Sequence, residues 1–303
     1  MSKVSVIMLT YNRENFLSRA IECVLRQTLT DFEFIIVNNG SSDNSGRIAN
    51  AYAGKDNRIR VIHRERGNIG SGRNVGIDAA TFEYIAFIDD DDYCTDDFLE
   101  FLYFLAIENK TDVSICGAEG REVNKKMIYA PEEAIVELLW RKKFNAQFPT
   151  KMIHRRLLDS LRFSETARFD DIELMPQVLA SANAVAYHGL SKYTFYRHEG
   201  NNSAWTTDYG LLNAQTLDEY LHVYRRRTIW LAQQFPNNSA IWRYFEWSFM
   251  LSMVDKITQF MISDCVIQKE KILIELSAIR EEFLNSSYIQ DFEKEWINQY
   301  VFT

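Results

Sequence analysis

Short apolar runs alternate with stretches of helical periodicity through the first 120 residues. Val4 to Leu9 is apolar but for Ser5, the pattern of a strand buried on both faces. Phe16, Leu17, Ala20, Ile21, Val24 and Leu25 then recur at helical spacing. Phe32 to Val37 predicts a second strand, followed by the turn "NNGSSDNS", in which Ser42 or Asp43 is placed to cap a helix. Arg58 to His63 predicts a third strand, Arg73 to Ala80 a helix and Tyr84 to Ile88 a fourth strand. Phe98 to Glu108 follows as a helix and Asp112 to Cys116 as a further strand. Such alternation predicts an α/β fold with a mostly parallel sheet covered on both sides by helices. From about residue 205 the pattern turns to long helical stretches rich in Trp, Tyr and Phe, broken at Pro236 and Asn237-Asn238.

In sheets of this kind ligands collect at the carboxyl ends of the strands. The polar segments "TYNRE", "NNGSSD" and "DDDD" all fall there. The last, Asp89 to Asp92, ends an apolar strand, where adjacent carboxylates repel and solvent screens them poorly. Asp89 and Asp91, two residues apart, can face one cleft. Hard divalent cations such as Mg2+ or Mn2+ take one or two carboxylates together with substrate phosphates. Asp96 and Asp97 read instead as favourable charges at a helix N-terminus. In "FYRHEGNNS", Arg197 suits bidentate diphosphate contact and a neutral His198 can ligate metal or phosphate; a loop of solvated charges is the alternative.

Composition narrows the classes. The chain is 47% apolar and 25% charged, as globular proteins are, and its net charge of −8 argues against a general nucleic-acid binder. Its four cysteines form no CxxC pair, which disfavours a zinc site or disulfide framework and fits a reducing compartment. The first apolar run is too short for a signal-peptide core. Ile241 to Ile262 is interrupted by Arg243, Glu246, Asp255 and Lys256, so it reads as a buried helix and not a membrane span. The expected location is the cytoplasm, with peripheral association at the inner membrane surface compatible with it.

The segments "VSVIMLTYNRENFLSRAIECVLRQTLTDFEFIIVNNGSSDNS", "GRNVGIDAATFEYIAFIDDDD" and "RFDDIELMPQVL" resemble, in order, the motifs of the family 2 glycosyltransferases over roughly residues 3 to 200. The resemblance implies a GT-A, Rossmann-like fold. It further implies inverting, Mn2+- or Mg2+-dependent transfer of a hexose from a nucleoside diphosphate sugar, here expected to be a UDP-sugar. The acceptor would be a hydroxyl of a bacterial surface glycan or glycoprotein glycan. Thr10 and Tyr11 match the turn beside the nucleobase, Asn39 the residue that accepts from the uracil ring, and Arg73 a basic residue near the nucleotide. Asp89 and Asp91 match the DxD motif, with Asp91 the direct metal ligand and Asp90 near the donor's ribose or sugar. Asp171 matches the general base, while Asp170 and Lys151 fall on the acceptor side. Two positions depart from the family pattern. Asn38-Asn39 stands where Asp-Asp is usual; an amide still offers an acceptor to the uracil N3–H but brings no negative charge. Phe82 stands where glycine is common.

Residues 1–204 are therefore expected to form the transferase domain, with a nucleotide-sugar half to about 120 and an acceptor half from 121. Residues 205–303 are expected to form a helical unit for packing, self-association or acceptor binding. Tyr220, Tyr224, Trp230, Trp242, Tyr244, Phe245, Trp247 and Phe249 read as core among its helices, or as an aromatic surface for a second copy or a sugar acceptor. "GNIGSGRNVG" lacks the placement and spacing of a dinucleotide fingerprint, so its glycines are expected to permit a tight turn near the nucleotide. Two other functions compete. A sugar nucleotidyltransferase would want a glycine-rich basic loop where this chain has "TYNREN". A non-catalytic scaffold would suit Asn38-Asn39 but not the intact Asp89, Asp91 and Asp171.

Overall fold

The computed structural model describes residues 4–120, 122–169, 171–198, 201, 204–206 and 208–301. By compactness the chain divides into two units, Met1–Tyr196 and Arg197–Thr303. In the first, β1 (Val4–Thr10), β2 (Phe32–Asn38), β3 (Ile59–His63) and β4 (Tyr84–Phe87) alternate with α1 (Leu17–Leu25), α2 (Ser45–Ala53) and α3 (Ile69–Ala79). These strands lie parallel in the order β3-β2-β1-β4. Every residue of β1 except Leu9 is buried. Its one polar interior position is satisfied by a hydrogen bond from the Ser5 hydroxyl to Glu33 Oε1, at 2.6 Å.

The remaining elements of this unit are β5 (Tyr93–Cys94), α4 (Phe98–Asn109), β6 (Val113–Ala118), β7 (Val123–Tyr129), α5 (Pro131–Trp140), β8 (Lys151–His154), α6 (Asp171–Ser181) and β9 (Val185–Thr194). They extend the sheet beyond β4 in the order β8-β6-β9-β5, and β7 also pairs with β9. β8 runs antiparallel to both β4 and β6, while β6 and β9 are parallel. The strictly parallel part is thus the four-strand segment; beyond it the sheet is mixed, because an apolar run carries no direction that periodicity can read.

Helix α3 begins at Ile69, four residues before the expected Arg73, so Gly70, Gly72 and Gly76 lie inside it and do not form a turn. Its start is set by Asn68, whose Oδ1 accepts the Ser71 N–H at 2.8 Å. The glycines serve packing. A Cβ at Gly72 would lie 2.3 Å from Leu9 Cδ1, and one at Gly76 would lie 2.4 Å from Ile7 Cγ2, so the helix presses directly on β1.

The second unit comprises α7 (Ala214–Gln234), α8 (Ser239–Gln259), α9 (Val266–Ala278), α10 (Arg280–Leu284) and α11 (Asp291–Tyr300). α7 and α8 meet at the Pro236–Asn238 turn. Tyr224, Trp242, Tyr244 and Phe245 are buried, and the rings of Tyr224 and Phe249 stack at 3.8 Å. Tyr220, Trp230, Trp247 and Phe249 are half-buried. No described helix is long and apolar enough to cross a membrane.

Gly76→Ala is expected to destabilise the first unit by about 1–3 kcal/mol, although alanine is the better helix former, because fully buried Ile7 is β-branched and cannot swing aside. Urea unfolding should show a lower midpoint at unchanged slope. Gly54→Ala, where the added carbon meets only ordinary contacts, is the near-neutral control.

Candidate active site

The loops at the carboxyl ends of β1, β2 and β3 are tied to one another. Thr10 closes β1, and its carbonyl accepts the Asn39 N–H at 2.9 Å. The Asn39 amide closes on Gly67 in both directions, donating to its carbonyl at 2.9 Å and accepting its N–H at 3.2 Å. Asn38 pairs with His63 Nδ1 at 3.0 Å and accepts the Ser41 N–H at 3.1 Å. Between them Gly40 adopts φ +79°, and a Cβ there would lie 2.6 Å from the Arg66 backbone nitrogen. The Arg66 guanidinium in turn sits 4.2 Å from the centre of the Tyr11 ring. The asparagine pair is therefore first a clamp between two loops, with one Asn39 Oδ1 lone pair left for a further donor.

Asp89 to Asp92 link β4 to β5, and the four carboxylates have different partners. Asp92 turns inward, accepting the Tyr193 hydroxyl and the Tyr196 N–H, both at 2.8 Å. The Tyr193 oxygen also accepts the Asp89 N–H at 3.1 Å, which fastens the run to the end of β9. Arg13 Nε lies 3.7 Å from both Asp90 Oδ1 and Asp91 Oδ2. Asp89, whose side chain is 40% exposed, pairs with Arg73 at 3.1 Å. Arg19 donates to the Asp91 carbonyl at 2.6 Å and packs on the rings of Tyr93 and Tyr196. Burial, reinforced by neighbouring carboxylates, pushes Asp90 and Asp92 each up to about 8. Burial also raises Asp89, with the Arg73 guanidinium opposing it and Asp91 and Asp171 adding repulsion. The run thus concentrates more negative charge than this edge of the sheet holds comfortably. Thr10 Oγ1 is buried without a hydrogen-bond partner, yet it lies near enough to Asp90 to favour that group's ionised form.

Asp171 begins α6, and α3 holds the segment that leads to it. Asn74 bonds the Phe163 backbone in both directions at 3.0 Å, and Asn68 Nδ2 donates to the Ser164 carbonyl at 2.9 Å. The rings of Phe163 and Phe148 pack at a tilt, 4.4 Å apart, and Phe148 meets Phe87 at 5.4 Å, so an aromatic group sits at the end of β4 just before Asp89. Burial raises the Asp171 carboxyl, opposed by Arg73, the Ile172 N–H, Arg141 and Lys151. Asp171 adds repulsion at Asp89, and the Arg73 guanidinium favours the ionised form of both. Lys151 heads β8 and is fully buried, donating to the Gln147 carbonyl at 2.5 Å. Its burial pulls it down to about 7, with Cys116 and Asp171 opposing. Asp170 lies outside the described residues. His198 belongs to the second unit, its N–H bonded to Asn201 Oδ1 at 2.7 Å. Arg13, Arg19, Asn74 and Tyr193 were not among the expected site residues; only the charge of Arg13, in "TYNRE" at a strand end, offered a signal.

Residues 5–164 match Glycosyl transferase family 2. The chain belongs to this family. Glycosyltransferase GlyG of Streptococcus pneumoniae is 32% identical over 234 residues, covering 71% of this chain and 77% of that protein. Among solved structures, TarS 1-349 of S. aureus in complex with UDP-GlcNAc superposes with a TM-score of 0.61 at 20% identity, covering 99% of this chain and 93% of that one. The mannosyltransferase PcManGT of Pyrobaculum calidifontis, in complex with GDP-Man and Mn2+, gives 0.58 at 15% identity, covering 98% and 79%. The GT-A fold expected of a family 2 glycosyltransferase is thus present. Among the described residues of this glycosyltransferase, no three His, Cys, Asp or Glu side chains gather closely enough to hold a metal ion.

Tyr193→Phe removes the hydroxyl that serves both Asp89 N–H and Asp92. Leaving the Asp89 N–H without this partner and Asp92 with only the Tyr196 N–H is expected to cost about 2 kcal/mol of stability, read as a lower denaturation midpoint in urea.

Proposed function

We propose that this glycosyltransferase moves a hexose, with inversion, from a UDP-sugar to a hydroxyl of a glycan or glycosylated protein. What supports this reading is the charge gathered at the carboxyl edge of the sheet, with Arg13 beside Asp90 and Asp91, Arg73 beside Asp89, and Asp171 also subject to the Arg73 charge. The nucleotide-sugar complexes of TarS and PcManGT support the donor class. The donor set suits a divalent ion, since the cleft offers hard carboxylate oxygens but too few protein ligands for a closed site, leaving positions for phosphate oxygens. Asp91 and Asp89 would hold Mn2+ or Mg2+. Such an ion, when bound, supplies Lewis-acid stabilisation of the charge on the departing diphosphate.

The other residues have separable tasks. Tyr11, stacked on Arg66, and Asn39 Oδ1 receive the nucleobase next to Thr10, with Asn39 accepting the uracil N3–H. Asp90 faces the ribose or sugar, and Arg73 balances the diphosphate against Asp89. Asp171 takes the acceptor proton as the hydroxyl attacks the anomeric carbon from the side opposite the leaving group. Its burial makes it a stronger base than an exposed carboxylate, while Arg73 and the N-terminus of α6 keep the ionised form accessible. Lys151 and Asp170 are assigned to the acceptor side, Lys151 through its charge on Asp171.

Asp91→Asn is expected to abolish transfer and weaken UDP binding in Mn2+ without changing the melt of the metal-free protein; full activity of this variant, or of the native enzyme in EDTA, would refute the metal assignment. Asp171→Asn should lower kcat by about 10²–10⁴-fold with donor affinity nearly unchanged, measured by UDP titration beside initial rates. Because the active form of Asp171 is the deprotonated one and its pKa is raised, the acid limb of kcat/KM should lie above the ordinary carboxylate range near pH 4. That limb should vanish in Asp171→Asn.

A further inference from the structure

The loop after β1 fixes the backbone of Arg13 from both sides. Asn12 is left-handed, at φ 51°, and turns the chain immediately before it. Asn12 N–H donates to Ser41 Oγ at 3.1 Å, Ser42 N–H to Asn12 Oδ1 at 2.8 Å and Glu14 N–H to Asp43 Oδ2 at 3.0 Å. Arg13 N–H donates to Ser45 Oγ at 2.8 Å, and its carbonyl accepts from both Phe16 and Leu17, at 2.9 Å each, where α1 begins. Held this way, the side chain is delivered to one place. Its Nε stands 3.7 Å from a carboxylate oxygen of Asp90 and 3.7 Å from one of Asp91, while the side chain stays 21% exposed.

A positive charge equidistant from two adjacent carboxylates would compete with a divalent ion held by Asp91, because the two cations would repel at short range. A planar guanidinium is also well suited to phosphate oxygens, which a nucleoside diphosphate brings to the same spot. We propose that Arg13 is an exchangeable counter-cation: it neutralises Asp90 and Asp91 while the cleft lacks a divalent ion, and passes to the donor's diphosphate when the ion binds. The proposal rests on the reading of Asp91 as a metal ligand and of the donor as a nucleoside diphosphate sugar. Its consequence is that the metal alone binds weakly, and that metal and nucleotide each strengthen the other's binding by the same factor.

The test titrates Mn2+ without nucleotide, by the electron paramagnetic resonance of the free ion, and titrates UDP calorimetrically in saturating Mn2+. Arg13→Gln should tighten Mn2+ alone by about fivefold, the scale of one partly exposed ion pair. It should weaken UDP by about tenfold, the scale of one charge-assisted contact. Arg13→Lys, which keeps the charge, should hold the Mn2+ affinity near native. A glutamine variant in which both affinities fall, or in which either is unchanged, would overturn the proposal. Asp91→Asn in the same titrations separates the two ideas. If it loses UDP binding in Mn2+ while Arg13→Gln behaves as native, only the counter-cation role fails; if it binds Mn2+ and UDP as native, the metal reading fails with it.

Discussion

Holding four consecutive carboxylates at the end of a buried strand is the constraint around which the carboxyl edge of the sheet is organised. Each aspartate is accommodated by a different part of the chain. Asp92 is absorbed by hydrogen bonds from β9 and the residue two beyond it, Asp90 and Asp91 face an arginine from the turn after β1, and Asp89 faces one from α3. α1 contributes Arg19, which holds the Asp91 carbonyl. Partners for the run therefore come from β9, α1, α3 and the turn after β1.

The asparagines at 38 and 39 follow the same logic. A carboxylate at position 39 could accept the Gly67 N–H but could not donate to the Gly67 carbonyl, whereas the amide does both. Neutral side chains at this point add no negative charge to an edge where burial and neighbouring carboxylates already raise Asp89, Asp90 and Asp92. The Asn39 amide thus links the β2 and β3 loops in both directions.

β1, β2 and β4 were legible because strands buried on both faces read as apolar runs; Val4–Thr10 and Phe32–Asn38 each extend only one residue past the run that announced them. β7 was not, since most of its side chains are exposed and its sequence is polar. The start of α3 was missed because glycine lowers helix propensity, while here its missing side chain is what lets the helix seat on β1. At the site, the aspartates and Arg73 could be read as charges at strand and helix ends. Tyr193 could not: its hydroxyl meets an aspartate 101 positions earlier in the chain, and no local pattern encodes such a pairing. Arg13 and Asn74 were hidden for a related reason, as their roles depend on where a side chain points.

Asp92 carries one further implication. The N–H it accepts belongs to Tyr196, the last residue of the first compact unit. The point at which the chain leaves that unit is consequently moored to the acidic run itself. Asp92 also accepts the Tyr193 hydroxyl, whose oxygen in turn accepts the Asp89 N–H. The last residue of the unit and the acidic run thus form one hydrogen-bonded group, in which the Asp92 carboxylate is the common acceptor.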